Sequence, residues 1–255
     1  MDKLKPIRFG ELKAMARSPA HYLHAVNVGR EDTKQMRLGR LLDAALFDRP
    51  VYVGPSDRRG KKWTEYVASV PPGVDTFTSD EREEMMPMLE SLKLDELAMA
   101  LLKTGEHQVT RLWEFMGRAC RGTPDTYDKG TATLVDLKST RNADPFWFQR
   151  DARRMAYHAQ LAWYRHGLRT LGLPVESVYL VTVESAPPYP VVVHRLTENA
   201  LLAGDKCVRL WMERLASCEA ADFWPGYAQT AVPFDVEDEI ELTGFADDDS
   251  EEDAA

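Results

Sequence analysis

The sequence predicts an α/β fold in which a mixed central sheet is flanked by helices. Three observations predict it. Apolar residues recur at helical spacing through most of residues 9–102; three short strand-like runs follow between 108 and 137; helical and strand-like segments then alternate to residue 218. With 255 residues, 44% of them hydrophobic, the chain can bury one sizeable core.

The first segment, Phe9 to Val28, carries Leu12, Met15, Ala16, Tyr22 and Leu23 at helical spacing, and Ser18-Pro19 should split it into two short helices. Met36 to Phe47 has a broad apolar face and predicts a partly buried helix. Residues 49–78 are rich in Pro, Gly and charge and read as an irregular loop. Ser79 to Leu102 predicts one helix, with acids in its first turn where the helix dipole favours them. Gln108 to Met116, Ala119 to Tyr127 and Thr131 to Leu137 read as strands, joined by turns at Gly117-Arg118 and Asp128-Lys129-Gly130. A long helix should run from Asp144, as N-cap, through Pro145 to Leu171. Val178 to Glu184 and Val191 to Arg195 are two more strands, and Thr197 to Cys218 a last helix. The expected organisation is one domain over 1–234, with a helical part at 1–104 and a catalytic core at 105–234.

Composition excludes several classes. No apolar run approaches the roughly 20 residues that span a bilayer. The stretch Met1 to Phe9 lacks an apolar signal segment, so the chain is expected to be soluble and cytoplasmic. Cys120, Cys207 and Cys218 form no CxxC pair, which argues for reduced thiols and against a cysteine-ligated zinc or iron–sulfur site. The net charge of −9 is uneven. Residues 235–255 hold eleven acids and no Lys or Arg, leaving 30 acids against 32 bases in 1–234. The body is slightly basic. The acidic tail is expected to be disordered, either as a solubilising element, the favoured reading, or as a partner-binding or DNA-mimicking segment that competes for a basic cleft.

Pro124-Asp125 falls late in the second expected strand, and Asp136-Leu137-Lys138 ends the third. Asp136 and Lys138 are two residues apart and leave the same strand face. A hairpin would bring Asp125 beside them, so that two carboxylates and an ammonium meet at a sheet edge. Magnesium takes oxygen ligands from one or two carboxylates and keeps waters for chemistry. The lysine would orient the attacking water or stabilise developing negative charge. Asp-x-Lys alone is more often a solvated ion pair; the Pro-Asp, the hairpin and the strand context are what strengthen it.

These blocks resemble the PD-(D/E)xK nuclease superfamily, and more narrowly the RecE-type exonuclease VIII family of phage-style recombination. The resemblance rests on Leu12 to Tyr22, Met36 to Asp43, Arg121-Gly122-Thr123-Pro124-Asp125, Val135 to Thr140, Tyr157 to Tyr164 and Trp224-Pro225-Gly226-Tyr227, in that order and spacing. It implies a restriction-endonuclease-like core. It implies that Asp125 and Asp136 bind the metal, with the Leu137 carbonyl as a further ligand, and that Lys138 is catalytic. Gln160 and Tyr164 match the family's Gln-x-x-x-Tyr element and would contact the DNA backbone or position the site; Tyr164 reads equally well as a core aromatic. Where the family has Gly-x-x-x-His, this chain has Gly39 and Asp43. Asp43 is then either a hard oxygen ligand, the favoured reading, or a residue that caps or solvates its helix.

Arg37, Arg40 and Arg121 are the further DNA-contact candidates. Phe146-Trp147-Phe148 could stack on a frayed base, but helix packing is the expected role. The resemblance implies a magnesium-dependent deoxyribonuclease, with manganese as a substitute. It would degrade linear duplex DNA 5′-to-3′ in a bacterial or phage-infected cell and leave a 3′ strand for an annealing protein. A homo-oligomer is also implied. The alternatives are an endonuclease of the same superfamily, or a non-catalytic DNA-binding module that kept the fold.

Overall fold

The computed structural model describes residues 5–29 and 32–234. The acidic tail lies outside them. Among the described residues no helix is long and apolar enough to cross a membrane.

The chain opens with β1 (Ile7–Arg8), α1 (Phe9–Leu12), a 3-10 turn (Lys13–Ala16) and α2 (Pro19–Val28). Ser18 makes the break as its sequence suggests: its hydroxyl caps α2 by accepting from the N–H of His21, and Pro19 takes the first helical position. Next is α3 (Lys34–Leu46), capped by Thr33.

Residues 49–78 are not an irregular loop. They form β2 (Tyr52–Gly54), α4 (Gly60–Ser69) and β3 (Thr76–Thr78), with β2 and β3 paired in parallel from Tyr52↔Thr76 to Gly54↔Thr78. Three-residue strands and a helix without a buried residue leave little hydrophobic period to read. A second difference follows. The expected helix at 79–102 is two, α5 (Ser79–Leu94) and α6 (Glu96–Lys103), because Asp95 ends the first and caps the second through the N–H of Ala98.

The strand region is β4 (Glu106–His107), β5 (Arg111–Phe115), β6 (Arg118–Gly122), β7 (Thr126–Asp128) and β8 (Thr133–Thr140). The single strand expected over 119–127 is therefore cut into β6 and β7. Pro124, which has no N–H to donate to a ladder, lies in the gap. The pieces enter different sheets: β1-β6-β5 makes one, and β10-β9-β8-β7-β4 the other, with β9 (Ser177–Glu184) and β10 (Val191–Arg195). The larger sheet is mixed, since β8 and β9 run parallel and its other neighbours antiparallel.

The long helix expected over 144–171 is broken as well, into α7 (Pro145–Arg154) and α8 (Tyr157–Thr170). Ala156 sits between them in the left-handed conformation, φ 57°. Alanine is a strong helix former, so its residue type does not announce this strained link. The chain closes with α9 (Glu198–Ala221), packed along α8. A Cβ on Gly204 would strike the carbonyl of His158, so that glycine permits the close approach.

Three apolar clusters hold these layers. Leu12, Met15, Trp113, Trp163 and Trp211 join the small sheet to α8 and α9. Leu38, Leu41, Met88 and Leu92 pack under β8 and β9 against Val135, Leu137 and Val181. Leu134, Leu161, Leu168 and Leu180 fill the opposite face. Each fully buried side chain of this size contributes roughly 1.5–3 kcal/mol. The two-residue period of β8 thus turns Val135 and Leu137 towards α3 and α5, and Leu134, Asp136 and Lys138 towards α8.

Candidate active site

Asp125 follows Pro124 in the gap between β6 and β7, rather than on a strand. Thr126 pairs with Val135, so β7 and β8 set Asp125 beside Asp136. Both carboxylates are buried. Asp125 Oδ2 accepts from the Leu137 N–H at 2.8 Å, and its Oδ1 accepts from Gln108 Nε2 at 2.6 Å. Burial, and then the charges of Asp136 and Asp43, push the Asp125 carboxyl well above its ordinary range, against the pull of Lys138.

The Lys138 ammonium lies in ion-pair contact with Asp136 Oδ2. Lys138 Nζ donates to the Leu137 carbonyl at 3.4 Å and stands 5.3 Å from the centre of the Tyr157 ring. Burial would favour the neutral amine, but Asp136 and Asp125 outweigh it and push the lysine above its ordinary value. Lys138 is therefore a fixed cation in this state.

Asp43, one turn after Gly39 on α3, faces the same group. Burial is the main cause that lifts its carboxyl from 3.8 to about 6; Asp136 adds to the rise, while Lys138 and Arg49 oppose it. The three carboxylates feel one another electrostatically. Yet no group of three or more His, Cys, Asp or Glu among the described residues is spaced to hold a metal ion. Together these observations describe a site with fewer than three side-chain ligands ready, which is the arrangement magnesium tolerates: one or two carboxylates, with waters and substrate phosphate completing the shell. Three neighbouring carboxyls served by one ammonium are what a divalent cation would relieve, so the residues present fit one.

Lys138 lies in a cleft of about 510 Å³. Arg8, Lys13 and Arg121 give it a basic lining, and Tyr157, Gln160 and Tyr164 of α8 form its other wall. Gln160 Nε2 donates to the Tyr164 hydroxyl at 2.9 Å. The Tyr164 ring packs on Gly122, where an added Cβ would come within 2.8 Å of it, and it also lines the cleft. Burial and the Asp136 charge push its hydroxyl above the ordinary tyrosine value.

Arg37 and Arg40 are placed differently from expectation. Arg37 donates to Glu81 Oε1 at 2.6 Å and also pairs with Asp32. Arg40 pairs with Asp32 and Asp75. Both are engaged in ion pairs, and neither lines the cleft. The aromatic run of α7 divides: Phe148 is buried, while Phe146 and Trp147 are exposed, with Arg150 over the Trp147 ring.

Sequence reasoning missed Gln108, Tyr157, Arg8 and Lys13. Gln108 carries no motif. Tyr157 stands in the block Tyr157 to Tyr164, but its place beside Lys138 depends on the break at Ala156. Lys13 Nζ donates to the carbonyl of Met155, at that same break.

Residues 9–233 match the PDDEXK-like domain of unknown function (DUF3799). No curated protein matches the chain by sequence. A candidate exonuclease from Eubacterium rectale is similar in structure at 15% identity, with TM-score 0.65 over 92% of this chain and 91% of that one. A phage-related exonuclease from Haemophilus somnus 129PT gives TM-score 0.40 at 14% identity, over 86% and 96%. The first likeness establishes the fold, a PDDEXK-like α/β core.

Proposed function

The chain belongs to the family of the PDDEXK-like domain of unknown function (DUF3799), and from that premise we propose that it is a metal-dependent deoxyribonuclease acting on linear duplex DNA. One observation carries the reading: Asp125, Asp136 and Lys138 are grouped in a buried cluster that opens, through Lys138, into a cleft edged by Arg8, Lys13 and Arg121. The name of the Eubacterium rectale neighbour agrees with it.

Asp125, Asp136 and the Leu137 carbonyl would hold the metal, with Asp43 as a further oxygen ligand. Magnesium is the metal we favour, with manganese as a substitute. When bound, such an ion lowers the pKa of a water and neutralises phosphate charge. The remaining work falls to the protein. Gln108 and the Leu137 N–H hold both oxygens of Asp125 in place. Lys138, kept cationic by its neighbours, stabilises the charge that develops on the phosphate. Arg8, Lys13 and Arg121 draw the DNA backbone into the cleft without reading its sequence, and the Gln160–Tyr164 pair borders the reacting group. Water adds to phosphorus while the P–O3′ bond breaks. The water gives up its proton, and the leaving oxygen takes one to become a 3′-hydroxyl.

The resemblance to RecE-type enzymes supports 5′-to-3′ polarity, a homo-oligomer and a 3′ strand passed to an annealing protein. The test is incubation of linear and covalently closed duplex DNA with the protein and magnesium. We expect 5′-mononucleotides from the linear form only. Cutting of the closed form would identify an endonuclease. Binding without cleavage of either would make this a non-catalytic DNA-binding module and refute the proposal.

A further inference from the structure

Tyr157 has two sides. One lines the basic cleft, and the other lines a second cavity of about 520 Å³ between α7, β10 and the start of α9. That volume lies in the range of small-molecule sites, roughly 300–1,000 Å³. Its wall is aromatic and apolar. Phe148 stacks on His194, with centroids 4.8 Å apart and planes 24° off parallel, and on Tyr157 at 6.3 Å and 29°. Leu180, Val192 and Leu196 complete it.

The fully charged side chains are all of one sign. Arg153 and Arg195 line the cavity and are exposed to solvent, and among the described residues no Asp or Glu lines it. The first residues of α9, a 24-residue helix, add the positive end of a dipole. His158 also lines it, and burial and Arg153 lower its pKa. An apolar aromatic interior with an acid-free cationic rim matches a base joined to a phosphate.

We infer that this cavity binds one nucleotide, its base against Tyr157 and His194, which Phe148 backs, and its phosphate on Arg153 and Arg195. The inference rests on the nuclease reading, which places a source of nucleotides on the other side of Tyr157. The unit is either a released mononucleotide or one residue of the uncleaved strand; the chemistry is shared.

Calorimetric titration in EDTA separates these cases and keeps catalysis out. The wild-type protein, R153A/R195A and R121A are each titrated with dAMP and with a short oligothymidine. Loss of the two charge-assisted contacts should weaken binding at least about tenfold. Weakened dAMP binding in R153A/R195A identifies the free nucleotide as occupant; weakened oligothymidine binding alone identifies the uncleaved strand. No binding of either probe to the wild type, or binding that falls in R121A and not in R153A/R195A, overturns the inference. A parallel digestion of linear duplex DNA with magnesium keeps the two readings apart. Digestion without an effect of R153A/R195A on binding removes the cavity proposal alone, and the converse removes the nuclease proposal alone.

Discussion

Asp125 Oδ2 accepts a hydrogen bond from the backbone N–H of Leu137 at 2.8 Å. This bond ties a residue outside the strands to the strand that carries Asp136 and Lys138. It fixes one oxygen of Asp125, and Gln108 fixes the other. The position of this carboxylate therefore depends on a side chain outside the motif.

Gln108→Ala should expose that dependence. Partners that orient metal-binding carboxylates are typically worth about 10–100-fold in metal affinity or activity. We expect a loss in that range in magnesium-dependent nuclease rate, with little change in melting temperature because Gln108 is only half-buried. An unaltered magnesium titration would show that Asp125 needs no such support.

Lys138→Met should lower kcat by about 10²–10³, the usual effect of removing one group that stabilises transition-state charge. DNA affinity should change little, because Arg8, Lys13 and Arg121 remain in the cleft. Single-turnover cleavage beside a binding isotherm measures both. A loss of affinity with cleavage intact would make Lys138 a DNA contact and no more.

Burial lifts the Asp43 carboxyl, Asp136 adds to the rise against the pull of Lys138 and Arg49, and among the described residues no hydrogen bond to its side chain offsets the cost. Asp43→Asn should therefore raise the melting temperature of the metal-free protein and weaken magnesium binding by at least about tenfold. Calorimetry with and without magnesium reads both effects. Raised stability with unchanged magnesium affinity would leave Asp43 outside the ligand set.

Glu81 supplies a prediction about pH. Burial by itself would raise its carboxyl, but hydrogen bonds from Arg58, Arg37 and the Thr78 N–H prevail and lower it from 4.5 to about 2. A depressed carboxylate stabilises the fold above its unfolded value, and that contribution is lost as pH falls from 4.5 towards 2. Glu81→Gln should cost about 3 kcal/mol at neutral pH, since it leaves guanidinium groups without their buried partner. It should also flatten the acid limb of the stability curve. Urea unfolding across pH tests this; an identical acid limb in the variant would contradict it.

The parts of this molecule that were legible in its sequence are those written in local chemistry. Ser18-Pro19, Asp144-Pro145 and the period of β8 each specify their own backbone, and the structure follows them. The breaks at Asp95 and Ala156 were hidden for different reasons. Asp95 caps a helix inside what reads as a continuous helical period, and Ala156 takes a left-handed conformation that its type disfavours. The second break matters more, because it begins the helix that sets Tyr157, Gln160 and Tyr164 along the cleft. Arg37 and Arg40 looked available in sequence only because their partners, Glu81, Asp32 and Asp75, are mostly distant along the chain.

The central claim is that the buried group of Asp125, Asp136 and Lys138 performs metal-dependent hydrolysis. Asp136→Asn tests it most directly, because this residue is buried, is paired with Lys138 and keeps its shape in the variant. Release of nucleotides from end-labelled linear duplex DNA should be magnesium-dependent in the wild-type protein. It should fall to background in D136N, while D136N still binds the same duplex. Cleavage by D136N at the wild-type rate would contradict the account.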